Sequence, residues 1–121
     1  MAGQPGTTLG EALGTTAGVP DAALDEIIVW ESRANWFQSR IRAVGGRFYI
    51  TERHLVFIPH EFDASLAGRA WSAPLADLER AYVKGWLKMI RVVFHSGNEE
   101  KFVLPRRQES AERINRAIQA A

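Results

Sequence analysis

The groups through which this chain could do chemistry are 3 histidines, 14 carboxylates and 15 Lys or Arg side chains, with no cysteine among them. The missing thiol excludes disulfides, cysteine nucleophiles and cysteine-ligated metal together. His54, His60 and His95 sit on or beside different predicted strands, without the i, i+4 helical spacing of a zinc motif. No metal and no cofactor are expected. A nucleophile, base and acid can be drawn on paper from Ser65, His60 and Asp63, yet no nucleophile elbow or oxyanion-forming loop accompanies them, and a polar loop accounts for them better. The carboxylates fall on turns and on the last segment, where solvation or ion pairing explains them. Catalysis is not expected.

Binding chemistry is left, and two basic groups offer it. Arg40, Arg42 and Arg47 flank Gly45 and Gly46. They either hold an anion or line the wet face of a strand, covering apolar neighbours with their stems. The second group is "VKGWLKMIR", where Lys84, Trp86 and Lys88 alternate and Arg91 follows. If a hairpin turns there, the cations and the indole project together, a composition suited to the headgroup region of an anionic membrane. Otherwise Trp86 bends inward as one more core aromatic, as Trp71 is expected to do. The sequence leaves both readings of Trp86 open.

Charge adds a bias. The net charge is +1, but residues 1–32 carry no Lys or Arg, so all 15 basic side chains lie from residue 33 onward, against nine acids there. That excess suits an anionic partner and falls well short of the density of a nucleic-acid binder, so none is expected. No apolar run approaches the ~18 residues of a membrane span. The start "MAGQPGTTLG" has neither a basic nor an apolar stretch, so a secretory signal is not expected and cytoplasmic residence is.

The elements that must position these groups are mostly strands. Residues 1–24 are rich in Gly, Thr and Pro and hold little to bury, which predicts a flexible tail before a domain at 25–121. After the apolar run "EIIVW", the segment "NWFQSRIRAV" alternates with a period near two, and "GG" at Gly45–Gly46 predicts a tight hairpin. "RFYIT", "HLVFIP", "WSAPL", "LERAYV", "KMIRVVFH" and "EKFVL" complete seven strands, with "HEFDASLAGRA" as a longer loop. From Gln108 the period changes: Ala111, Ile114 and Ile118 form a helical stripe, with Glu109–Arg113 and Glu112–Arg116 spaced as surface pairs. The chain is therefore mainly β with one C-terminal α-helix that closes the open end of the β structure.

The order of these pieces resembles the GRAM-like branch, bacterial type, of the pleckstrin-homology (PH) superfamily. The likeness rests on Gly46, on "FYIT" at 48–51, on "RHLVFIP" at 53–59, on Trp71, on "PLAD" at 74–77 and on "IRVVFHSGNEEKFVLP" before the helix. It covers residues 25–120 and consists of fold signals. It implies a PH-like barrel or sandwich of two near-orthogonal antiparallel sheets capped by the helix, and a non-catalytic adaptor that binds a membrane surface or anionic lipid, peripherally at the inner face of the membrane. In phosphoinositide-binding members, basic residues near the first hairpin hold the lipid phosphates. Here the second basic pair is missing, since "FYIT" follows Arg47, and Glu99 and Glu100 border the same family pocket, where they would repel a polyphosphate. The alternative is a protein-interaction module that holds a peptide or partner protein at a strand edge or beside the closing helix. Nothing in the sequence sets an oligomeric state.

Overall fold

The computed structural model describes residues 6–13, 18–60 and 70–121. The strands are β1 (Ile28–Phe37), β2 (Ala43–Thr51), β3 (His54–Pro59), β4 (Trp71–Pro74), β5 (Leu78–Lys84), β6 (Met89–Phe94) and β7 (Glu99–Val103). Two short helices precede them, α1 (Leu9–Ala12) and α2 (Asp21–Leu24), and α3 (Arg107–Ala120) closes the chain. The strands make one 7-stranded sheet in the order β4-β3-β2-β1-β7-β6-β5, every pair antiparallel.

Alternation sorts the side chains. Val44, Phe48 and Ile50 of β2, Leu55 and Phe57 of β3, Ile90 and Val92 of β6 and Phe102 of β7 all face one buried cluster, which Ala111 and Ile114 of α3 close. Phe102 is its hub, with ring centroids 5.1 Å from Phe48 and 5.1 Å from Trp71. Trp71 on β4 also lies 6.4 Å from Phe94 on β6. In a flat sheet five strand spacings would hold those two strands about 24 Å apart, so the sheet is rolled over until its two halves share one core.

The closing helix does more than fill the end. Its Asn115 accepts from the Ala81 N–H and donates to the Ala81 carbonyl, both at 2.8 Å, so one side chain occupies the place of a further strand on edge strand β5. The helix starts where Pro105 stops β7's direction, with the Ser110 hydroxyl donating to the Pro105 carbonyl at 2.7 Å. The surface pair expected between Glu109 and Arg113 is replaced: Glu109 meets Arg106, and Arg113 stacks over the Trp30 ring at 5.5 Å.

Two expectations are corrected. The first hairpin does not turn at Gly45–Gly46, which pair with Asn35 and Ala34 inside the β1–β2 ladder. The turn is residues 38–42, closed by the Gln38 N–H donating to the Arg42 carbonyl at 2.9 Å. Gly46 is glycine for want of room: a Cβ there would run into the Ile58 carbonyl and lie 2.7 Å from Pro59 Cα and 2.8 Å from the Phe57 ring. Nor are residues 1–24 a loose tail where the structure describes them. Leu9, Val19 and Ala23 are buried against Tyr49 and Val56 on the outer face of β2 and β3, and the Leu9 and Ile28 amides bond across to Glu26 and Thr7. The physical reason is that β2 and β3 are apolar on both faces, and the outer face needs cover.

Candidate functional site: two basic hairpin tips

The β5–β6 hairpin turns over residues 85–88. Gly85 and Lys88 both take positive φ, 89° and 54°, and the Lys88 N–H donates to the Gly85 carbonyl at 3.0 Å. This tight reversal leaves Trp86 no inward path. The indole is 91% exposed, Leu87 beside it is half exposed, and Lys84 and Lys88 stand free on either side. A lysine at positive φ is held where glycine would sit at lower cost, by about 1 kcal/mol. Below the tip, Arg91 is half-buried and pairs with Glu99 at 3.4 Å.

The β1–β2 tip has the same composition. Ile41 is 95% exposed between exposed Arg40 and Arg42. Arg47 lies apart from both tips, on the outer face of β2, where its Nε donates to Glu31 at 2.8 Å and that hydrogen bond raises its pKa above the ordinary value. Of the two basic groups, the second therefore stays together and the first divides. Lys84, Trp86, Lys88 and Arg91 share one hairpin, Arg40 and Arg42 share another, and Arg47 is committed to an ion pair. Because β1 and β7, β7 and β6, and β6 and β5 are each antiparallel, the two tips leave the ladder at opposite ends.

Glu99 and Glu100 belong to β7 and have occupants. Glu100 accepts from the Trp36 indole N–H at 2.9 Å, and Glu99 from the Tyr82 hydroxyl at 3.2 Å. Sequence reasoning passed over Ile41 and Leu87, whose signal is a large apolar residue beside cations within a short polar turn. It also passed over a partly buried polar cluster at the β2–β3 turn. There Glu26 Oε1 accepts from the Thr51 hydroxyl at 2.7 Å and the Arg53 amide at 2.9 Å and lies 3.0 Å from His54 Nδ1. Burial opposes ionisation of Glu26, but the hydrogen bonds from His54, Thr51 and Arg53 outweigh it and hold the pKa below its ordinary value. The cluster bolts the β2–β3 turn to the chain entering β1.

His60 and His95 take no part in that cluster, and among the described residues no three His, Asp or Glu side chains converge as a metal site would require. Ser65 and Asp63, with most of the β3–β4 connection, lie outside the described residues. No described helix is long and apolar enough to cross a membrane.

No family model and no curated protein matches the chain in sequence. Its fold has clear likenesses among solved structures. The PDZ-RhoGEF DH/PH domains in complex with activated RhoA superpose with a TM-score of 0.70 at 13% identity, over 93% of this chain and 38% of that one. The PH domain of human oxysterol binding protein-related protein 11 gives 0.59 at 14% identity, over 74% and 79% of the two chains. The Vps36 N-terminal PH domain gives 0.58 at 16%, over 76% and 78%. Likeness at such identities speaks to architecture, and with the rolled seven-stranded sheet and its closing helix it leads to one conclusion: the chain has a pleckstrin-homology-like fold.

Proposed function

We propose that this protein is a non-catalytic binding module, of the GRAM-like kind within the PH-like fold, that docks peripherally on an anionic membrane surface at its cytoplasmic face. The observation that carries the reading is Trp86, 91% exposed at the apex of a turn with Lys84 and Lys88 beside it. A soluble chain exposes an indole to that extent at a cost, and an interfacial anchor is what the composition suits. Each cation near an anionic leaflet contributes about 1 kcal/mol, and partial burial of the indole about 2 kcal/mol.

Sedimentation with phosphatidylcholine vesicles, with and without phosphatidylserine, tests it. Pelleting should require the anionic lipid and weaken with salt, and Trp86→Ala should reduce affinity by about 30-fold. Equal pelleting with neutral vesicles, or none at low salt, ends the reading. A second reading, recognition of a peptide or partner protein, is favoured by the groove beside α3, where Val29 is 63% exposed over walls that include Trp30, Ala117 and Ala120. The PDZ-RhoGEF DH/PH domains, whose structure this fold resembles, occur in a complex with activated RhoA, which is in keeping with it.

A further inference from the structure

Tyr49 and Val56 are buried on the outer face of β2 and β3, and what covers them is the amino-terminal segment: Leu9, Val19 and Ala23, with Leu13 and Leu24 packed against the same cluster. That cover has the build of a separate piece. Helix α1 carries its own capping box, the Thr8 N–H donating to Glu11 Oε1 at 2.9 Å and the Glu11 N–H to Thr8 Oγ1 at 3.2 Å. It lies so close on α2 that a Cβ at Gly10 would stand 3.1 Å from the Leu24 carbonyl oxygen. The two helices hold each other, and the contacts that seat them on the sheet are apolar and without direction.

The polar fixings begin just past the cover. Glu26 is tied to Thr51, Arg53 and His54, and the Ile27 N–H donates to Glu52 Oε1 at 3.0 Å. Between Leu24, where α2 ends, and Glu26 stands Asp25 alone. Asp25 has φ −84° and ψ −6°, and a change of ψ to the extended region would swing the cover off its own sheet without strain at that residue. Near its start the segment also pairs with the chain entering β1. Thr8 faces Ile27 across an antiparallel bridge, with the Leu9 N–H donating to the Glu26 carbonyl at 2.9 Å and the Ile28 N–H to the Thr7 carbonyl at 3.0 Å. Each of these contacts is made to a surface that a second copy of the chain also presents.

We propose that the outer face of β2 and β3 is an interface between two copies of the chain, in which each amino-terminal segment, hinged at Asp25, crosses to cover the other body. Reciprocal exchange keeps the contacts of the closed form and changes only the hinge, which makes it a low-cost route to a dimer, and a short connection invites it. Exchange competes with closure at the effective concentration of the tethered segment, on the order of millimolar for a short connection. The dimer goes beyond the membrane reading and does not depend on it.

The test refolds the full chain from urea, without lipid, at about 10 µM and at about 1 mM, and reads its mass by sedimentation velocity. The low concentration should give monomer and the high one a species of twice that mass. Because the chain has no cysteine, a pair introduced as Thr8→Cys/Ile27→Cys reports which body a segment covers. The two positions oppose each other at the narrow spacing of an antiparallel pair without mutual hydrogen bonds, where a disulfide fits. Oxidised after refolding, the pair should close within the chain at the low concentration and between chains at the high one, seen as a covalent dimer on a non-reducing gel. Gly18→Cys/Ala70→Cys, where a Cβ at Gly18 would lie 3.3 Å from the Ala70 Cβ, gives the same reading should loss of the Thr8 cap unsettle the first pair. Wild-type monomer at both concentrations overturns the proposal. So does a dimer in which both cysteine pairs close within the chain, since the bodies then associate without exchange. Either result leaves the membrane reading untouched, because no vesicle enters the experiment.

Discussion

Asn115→Ala should cost this domain far more than one helix-surface amide normally would. Ala81 is buried on edge strand β5, and its N–H and carbonyl both point to Asn115 instead of to β6. Truncation leaves one donor and one acceptor without partners, at about 1–3 kcal/mol each. Water entering from the open side of an edge strand trims the pair to about 2–4 kcal/mol. For a chain of 121 residues, an unfolding entropy of about 2.1 cal/mol/K per residue makes each kcal/mol worth about 4 °C, so the melting temperature should fall by about 8–16 °C. Circular dichroism measures that fall, and native-state hydrogen exchange gives a local reading: the Ala81 amide should lose protection by a factor of about 30 or more. Asn115→Asp keeps an acceptor for the Ala81 N–H and sets a second oxygen against the Ala81 carbonyl, so it should be no milder. A melting temperature within about 3 °C of wild type, with Ala81 exchange unchanged, would refute the idea that one side chain completes the edge.

Other expectations follow from single residues. Gly46→Ala should destabilise by about 2–3 kcal/mol in urea titration, because the clashing atoms are backbone of β3, which cannot swing aside; a neutral substitution would show the strands are further apart. Glu26 has a folded pKa below its ordinary 4.5, so its contribution is complete above that value and is lost as pH falls through the lower folded pKa. Melting temperatures taken down through the acid range should drop accordingly, and Glu26→Gln should flatten that part of the slope. Of the four tryptophans, Trp86 is the one that stands exposed. Acrylamide should quench it preferentially, and Trp86→Phe should remove the easily quenched component; unchanged quenching would mean the turn folds inward.

Strands β3 to β7 could be read from the chain because true turn residues bracket them: Pro59, Pro74, Gly85 and Gly97 all lie at strand ends. The β1–β2 hairpin misled for the opposite reason. Its reversal uses Gln, Ser, Arg and Ile, and Gly46 answers a steric demand from the backbone of the next strand, β3, at Ile58 and Pro59. No local pattern contains that demand. The amino-terminal cover escaped notice because Leu9, Val19 and Ala23 are few and spread among glycines and threonines. The clue lay elsewhere, in Tyr49, Val56 and Ile58, apolar residues on the side of β2 and β3 that ought to be wet. For the site, Lys84, Trp86 and Lys88 were legible as a tip, whereas exposed Ile41 lies in a segment whose alternation reads as a strand.

The place where β1 lies beside β7 imposes an order on synthesis. Phe48 is made early and Phe102, its ring partner at 5.1 Å, roughly 50 residues later in the chain. At about 5–20 residues per second the ribosome spends about 3–10 s between them. During that interval the meander of β1 to β4 has emerged with its aromatic inner side unclosed, and Trp36, Phe57 and Trp71 wait for a partner that has not been translated. Nascent chains stalled before Phe102 should therefore engage holdases such as trigger-type chaperones, and those stalled past the closing helix should release them.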